Sequence, residues 1–532
     1  MIKEKLRHAP IAAAAIVMFL MAIALRVPSC SESLWVDELH SAWTVWGEWK
    51  DVFPRAQIGN QTPFYFAGLW WWKNAIGESE LALRMTSVLA TALAASIMTV
   101  GIARWSNSLI AGVAAGMVLA AESNAIFFGT ELRPYAFVIL ASTVVVLCFI
   151  QLMSHRSADD SGRSWIGLVF LTMFAALCQP TSLGVLGWFF VLLAVYQVAI
   201  GRIRPRISIT NVLLATAILA VGWTLWQNTL AASWRLRSNW ASFATAPAGI
   251  EATNLWNWGW LWLAPMLLVF APVGRWLTGD YSRRQKIAIA LVGAACLLSA
   301  IAYWLASRLD WVHLWHRRYA VALLPMFAAL VGAAVGRFET SNFRFPVARF
   351  VVAATLIVGL TYSQGVMQTA ASDPSRLAVR GEDWRGAIRW INQHTTSSDR
   401  LFLDSGLIEQ RRWVPHMYPP NWQPASFHEQ YFSLPVSGPY QTRLCHPIGR
   451  TSNSLKSHIY NDARFRSQWL INVQALPAQQ RRFVFLSRRP ADQQDLASIK
   501  AMDRKYIDPD AVEVHGFGGV SVMVIPLAVD ER

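Results

Sequence analysis

Between residues 9 and 366 the chain alternates long apolar runs with short basic segments, and few folds outside a membrane accommodate that alternation. A run of about 18 to 22 apolar residues, at 1.5 Å rise per residue, crosses the ~30 Å hydrocarbon core of a bilayer as one helix. About eleven such runs can be drawn: 9–27, 81–103, 109–128, 134–153, 164–181, 183–201, 210–230, 255–275, 286–306, 318–336 and 346–366. With 54% of residues hydrophobic and only 15% charged, there is too little ionic surface for a water-soluble protein of this length. The fold class read from this pattern is a polytopic α-helical membrane protein with about 11 transmembrane helices.

Basic residues fix the orientation. Lys3, Lys5, Arg7, Arg104, Arg156, Arg163, Arg202, Arg204, Arg206, Arg275, Arg283, Arg284, Lys286, Arg337, Arg344 and Arg349 all fall at one set of ends and loops. By the positive-inside bias that set is cytoplasmic. The N-terminus is then cytoplasmic, and loops 28–80, 129–133, 231–254 and 307–317 face outside an inner membrane, together with everything after 367. The first run follows Lys3, Lys5 and Arg7 as a signal peptide's would; cleaved or retained, it leaves residues 28–80 outside. The net charge of +15 is spread over loops and forms no patch, which argues against nucleic acid as a partner. Five cysteines, Cys30, Cys148, Cys178, Cys296 and Cys445, show no metal spacing; only Cys30 and Cys445 share the outer side.

Residues 371–532 have soluble composition and read as a small extracytoplasmic α/β domain, against a membrane module over 1–370. Asp383 precedes an apolar stripe of Trp384, Ala387, Ile388 and Ile391, the pattern of a capped amphipathic helix. Leu401–Leu403, Phe483–Leu486 and Val520–Ile525 read as strands, and Pro415 through Pro439 as ordered loop.

Chemistry concentrates in the exterior loop 28–80. It holds the carboxylate pair Asp37 and Glu38 among Trp35, Trp43, Trp46, Trp49, Phe53, Phe64, Tyr65 and Trp70 to Trp72. The aromatic residues suit an interfacial belt on short helices lying in the headgroup region. The carboxylates suit either a helix N-terminus or catalysis, and two carboxylates beside a membrane stem are costly without a use.

Five segments in order resemble the bacterial relatives of the dolichyl-phosphate-mannose protein mannosyltransferases, membrane glycosyltransferases of the GT-C fold. They are Ser33–Glu38, Gln61–Phe66, Glu80–Arg84, Glu131–Ala136 and Arg317–Pro325; Gly381–Ala387 adds a sixth, and the likeness thins after about 405. The resemblance implies a sugar transferred from a polyprenyl-phosphate donor, with inversion, to an extracytoplasmic protein, lipid or envelope glycan. It implies Asp37 as general base and Glu38 as the carboxylate that orients base or acceptor. No cofactor is required by this reading. A divalent cation would need ligands such as Asp37 and His40, one helical turn apart, which is a weak metal pattern. One departure stands out. Gln61-Thr62 occupies the place before Pro63 where the aminoarabinose-transferring members of the fold are expected to carry a Lys, which counts against that sugar.

The donor phosphate needs cations, and several basic residues lie outside against the charge bias. Arg84, Arg133, Arg317 and Arg318 are read as phosphate contacts, with Glu131 and Tyr135 beside them, Arg235 and Arg237 in the 231–254 loop, and His313 in the 307–317 loop. The bland alternative for each arginine is a snorkelling anchor, and for Glu131 with Arg133 an ion pair at a helix end. Glu122, deep in an apolar run, calls for a partner, with Arg133 and Arg84 as candidates. Two other function classes fit a chain of this kind. A multispan transporter would show repeated halves and paired broken helices, neither visible in the sequence; a non-catalytic envelope-binding scaffold would tolerate loss of Asp37.

Overall fold

The structure, a computed structural model, describes residues 2–154, 158–199, 209–235, 246–248, 281–340, 358–359, 361–396, 399–407, 427–442, 447–449, 482–488 and 508–526. Its contacts form two compact units: Met1–Cys30 with Arg84–Ala378, and Ser31–Leu83 with Val379–Arg532. This differs from a division near residue 370, because the first exterior loop groups with the C-terminal domain instead of with the membrane spans.

The first unit is helical: α1 (Ile2–Ala24), α5 (Glu80–Ser106, its first turn in the other unit), α6 (Leu109–Ala121), α7 (Ser123–Thr130), α8 (Tyr135–Ser154), α9 (Ala158–Cys178), α10 (Leu183–Ala199), α11 (Ile209–Arg235), α12 (Arg283–Arg308), α13 (Leu324–Thr340) and α14 (Val366–Ser372). Five stretches among the described residues are long and apolar enough to cross a membrane: Ala9–Ser31, Glu80–Ser106, Tyr135–Ser154, Pro180–Ala199 and Arg283–Arg308. Shorter apolar helices cover Gly162–Cys178, Val212–Thr224 and Val321–Gly336. The runs at 255–275 and most of 346–366 lie outside the described residues, so the eleven-span count remains a reading of the sequence. Small residues line the helix contacts, with Ala92, Ala95, Ala111, Ala115, Ala141, Ala328 and Ala329 all buried. Lipid tails are as apolar as Leu, so helices associate through close backbone approach, which small residues permit.

The run expected as one straight span over 109–128 is broken. The axes of α6 and α7 differ by 55° at Glu122, whose backbone is extended. A break inside hydrocarbon strands backbone groups that no water can satisfy. Two buried side chains take them up. Glu122 Oε2 accepts from Ala125 N at 2.7 Å, capping α7, while its Oε1 accepts from Asn124 Nδ2, Ser123 Oγ and Gln364 Nε2. Arg26, fully buried, donates from Nη1 to the Ala22 and Ala120 carbonyls and from Nη2 to those of Leu119 and Ala125, all at 2.8–2.9 Å. Glu122 therefore finds its hydrogen bonds in this cap, with Arg26 as the cation whose charge acts on it, in place of the partnership with Arg133 or Arg84 that its position suggested.

The second unit contains α2 (Val36–Trp46), α3 (Trp49–Ile58), α4 (Pro63–Ile76), α15 (Trp384–His394), α16 (Phe427–Phe432) and α17 (Leu434–Ser437), with β1 (Arg400–Asp404), β2 (Pro447–Gly449), β3 (Arg482–Ser487), β4 (Glu513–Phe517) and β5 (Val520–Pro526). The strands form one mixed sheet in the order β2-β1-β3-β5-β4, parallel at β2-β1-β3 and antiparallel beyond. The three strands expected from β-branched and aromatic runs are present as β1, β3 and β5. Asp383 caps α15, its Oδ1 accepting from Gly386 N at 2.8 Å. Its stripe is buried as the spacing requires: Trp384, Ala387, Ile388 and Ile391. Two short helices replace the loop expected at 427–437; residues 408–426 lie outside the description.

The tryptophans split by role. Trp43 is fully buried against Tyr431 and Phe427, and the Arg55 guanidinium sits 5.0 Å from the Trp43 ring and 5.1 Å from Phe427. Burial holds the Arg55 pKa below its ordinary value. Trp49, Phe53, Phe64, Trp71 and Ile76 are exposed, as an interfacial face would be.

Candidate active site

Asp37 and Glu38 are adjacent in sequence but differ in environment. Both lie in the first turn of α2, where a carboxylate is favoured by the helix dipole. Asp37 is partly exposed; Glu38 is fully buried. Glu38 Oε2 reaches back to Trp35 N at 3.4 Å, the return half of a capping box. The turn is fixed further by Glu382, whose Oε2 accepts from Val36 N at 3.0 Å and from Trp384 Nε1 at 2.8 Å while its Oε1 takes Arg488 Nε at 2.7 Å. One carboxylate thus joins α2, α15 and the end of β3. Glu32 accepts from Arg380 N and Gly381 N, and the Tyr440 hydroxyl accepts from Leu34 N and donates to Glu80, at 2.9 Å each. Burial and the Glu80 charge raise the Tyr440 pKa well above its usual value. Glu80 also pairs with Arg385 at 2.9 Å. Glu80 and Glu382 fall in segments that carry the family resemblance, but their role as hubs, like that of Glu32 and Tyr440, is not legible in the sequence. Each joins residues some 300 to 400 positions apart, and the only local sign is polar residues recurring in a conspicuously aromatic loop.

His40, proposed with Asp37 as a weak cation ligand pair, is buried among Trp43, Phe66 and Tyr431, and its Nε2 lies 3.3 Å from Thr44 Oγ1. Among the described residues no group of three His, Cys, Asp or Glu side chains is arranged to hold a metal ion.

The cations read as phosphate contacts belong to the first unit and differ among themselves. Arg84 is fully buried, with Nη1 on the Cys30 carbonyl at 3.0 Å, so it ties α5 to the end of the first span. Arg133 is 5% exposed, and Glu131 is 2% exposed with its carbonyl taking Ser87 Oγ at 2.6 Å and Arg133 N at 2.8 Å. Tyr135 opens α8 and packs edge-on to Phe128, ring centres 5.2 Å apart. Arg317 is exposed, its guanidinium 4.5 Å from the Phe127 ring centre and 3.5 Å from Asn124 Oδ1, beside the broken helix. Arg318 is partly exposed; its backbone N–H reaches His316 Nδ1 and its carbonyl takes Gln179 Nε2. His313 is partly exposed, with Nδ1 buried and unbonded among the described residues. Helix α11 extends to Arg235, beyond the expected end of its run, but the Arg235 side chain and all of Arg237 fall outside the description, as does Cys445.

The sequence matches no family model, and no curated protein matches it. The structure does find counterparts. It is similar to a crystal structure of ArnT from Cupriavidus metallidurans bound to undecaprenyl phosphate, with a TM-score of 0.54, 12% identity, and 97% of each chain covered. It is also similar to the apo form of that ArnT, with a TM-score of 0.55, 12% identity, and 97% of this chain and 98% of the other covered. The chain has the ArnT-like GT-C fold.

Proposed function

We propose that this chain is a membrane glycosyltransferase that moves a sugar from a polyprenyl-phosphate donor to an acceptor outside the cytoplasm. The observation that carries this reading is the end-to-end likeness to an ArnT structure bound to undecaprenyl phosphate, which covers the membrane helices and the C-terminal domain alike. A transporter would share the many spans but has no reason to share that architecture throughout. It would also favour paired broken helices, and the described residues contain one such break.

In the proposed reaction the acceptor hydroxyl or amine attacks the anomeric carbon from the face opposite the phosphate. Its proton passes to Asp37, the C–O bond to phosphate breaks, and the configuration inverts. Asp37 is preferred over Glu38 as base because it is partly exposed, whereas Glu38 is buried at the cap of α2. Arg317, exposed and held over Phe127, is the preferred cation for the charge that develops on the leaving phosphate. Arg133, Arg318, Glu131, Tyr135, Arg235, Arg237 and His313 remain candidates for donor or acceptor contacts. We assign no metal or cofactor to the step. The orientation proposed is N-terminus cytoplasmic and C-terminal domain outside; a reporter fused after residue 372 should be active outside, and cytoplasmic activity would overturn it.

The decisive test uses purified protein with a defined polyprenyl-phosphate sugar. Asp37→Asn keeps the shape but loses proton acceptance, so turnover should drop ~10²–10⁴-fold with protein level intact. Near-normal transfer by that variant would remove Asp37 from the chemistry. Nucleotide-sugar should not replace the lipid donor.

A further inference from the structure

Helix α5 carries a second feature at the end opposite Arg84. From Arg84 to Arg104 is 20 residues, about 30 Å of helix, so what surrounds Arg104 lies at the far end of α5 from Arg84. There a cavity of about 750 Å³ opens among α5, α8 and the start of α12. That volume lies within the ~300–1,000 Å³ of specific ligand sites. Its two halves differ in character. One wall is apolar, built by Ile97, Val100, Val144 and Leu147; the other is polar, built by Arg104, Trp105, Gln151, Ser154, Ser282 and Gln285.

Much of the polar wall is internally bonded. Trp105 Nε1 donates to Ser154 Oγ at 3.1 Å, Gln285 Nε2 to the Trp105 carbonyl at 2.7 Å, and Ser282 with Gln285 closes a capping box on α12. Arg104 is exposed and makes no hydrogen bond or ion pair among the described residues. Among the described residues no carboxylate lines the cavity, and the N-terminus of α12 adds the positive end of a helix dipole. A site with one unengaged guanidinium, a helix N-terminus and no acid favours an anion. An apolar wall running inward along α5 and α8 favours a chain attached to it.

We infer that this cavity holds a membrane phospholipid with an anionic headgroup, its phosphate at Arg104 and its chain along Val100 and Leu147. In the proposed orientation the lipid comes from the cytoplasmic leaflet, where basic groups near the surface attract anionic lipid. The site is independent of the transfer reaction and is tested without it.

The experiment is native mass spectrometry of the full-length protein taken from bilayers of mixed phosphatidylglycerol and phosphatidylcholine. One phosphatidylglycerol per chain should be retained in preference to phosphatidylcholine. Arg104→Gln should lower retention about tenfold, the factor for one lost charge-assisted hydrogen bond. Val100→Trp fills the apolar half and leaves the charge, and should abolish retention with Arg104 in place. Equal retention of both lipids by the unaltered protein overturns the inference and requires no variant. Displacement of the bound species by inorganic phosphate alone would overturn the lipid assignment in favour of a small anion. Undiminished retention in both variants would place the lipid elsewhere.

Discussion

The two units use buried charge differently. In the membrane unit the deepest ionic groups serve the backbone first: Arg26 takes four carbonyls, Arg84 reaches that of Cys30, and Glu122 caps a helix with one oxygen while the other accepts from uncharged side chains. In the second unit Glu382, Glu80 and Asp399 pair with the arginines Arg488, Arg385 and Arg482, the last through contacts of 3.1 Å and 2.8 Å. Hydrocarbon supplies no water, so the first claim on a buried charge there is an orphaned backbone group. Where water borders the fold, the same groups become junctions between elements, and Asp37 stays partly exposed. An ionisable residue at membrane depth is thus a functional candidate only after its backbone duties are subtracted.

The contrast can be broken or sharpened by mutation. The largest effect is expected at Arg26. Arg26→Met strands the carbonyls of a broken span, at about 1–3 kcal/mol for each buried acceptor left unsatisfied. Membrane yield and thermal stability in detergent measure it; a well-folded variant would show that the break needs no clamp. Next come the arginines. Arg317→Ala should raise the donor KM with stability unchanged, by a factor equivalent to ~1.5–3 kcal/mol for a charge-assisted contact, whereas Arg84→Ala should lower stability whether or not donor is present. The reverse assignment would exchange their roles.

A smaller effect separates the two neighbouring carboxylates. Glu38→Gln keeps an acceptor for Trp35 N and should cost about 1 kcal/mol or less with turnover within a few-fold of normal, against the large loss expected at Asp37→Asn. Equal losses would make the pair a catalytic unit. The smallest concerns Tyr440. Its pKa is raised in the fold, so its stabilising contribution is present below its ordinary value of 10.0 and lost as pH climbs past it. Tyr440→Phe should cost about 1 kcal/mol near neutral pH and flatten the alkaline fall in stability, read by thermal melts at pH 7 and above 10.

What was legible in the sequence was what local rules govern. Apolar length set the spans, Asp383 announced its own cap, and β-branched runs became β1, β3 and β5. The first loop stood out because carboxylates and rings beside a bilayer are costly without a use. What escaped was non-local. Glu122 marked a polar group in an apolar run, but nothing nearby showed that the helix breaks there or that Arg26, nearly a hundred residues earlier, clamps it. Trp43, Trp46 and Trp49 fall at helical spacing, but Gly47 and Glu48 separate two short helices and send Trp43 into the core and Trp49 to the surface. The buried role of Glu38 depends on a capping geometry that a two-residue acidic motif does not reveal.

The second unit is stitched from two pieces, Ser31–Leu83 and Val379–Arg532, with the whole of Arg84–Ala378 between them. A ribosome adding about 5–20 residues each second needs some 15–60 seconds to supply the intervening stretch. For that interval Trp43, which ends fully buried, has been made while Tyr431 and Gln430, its later neighbours in the unit, do not yet exist. The first piece must therefore wait through the insertion of nearly every remaining span. Biogenesis of this protein has a built-in delay, and its most vulnerable moment falls before the last third of the chain is made.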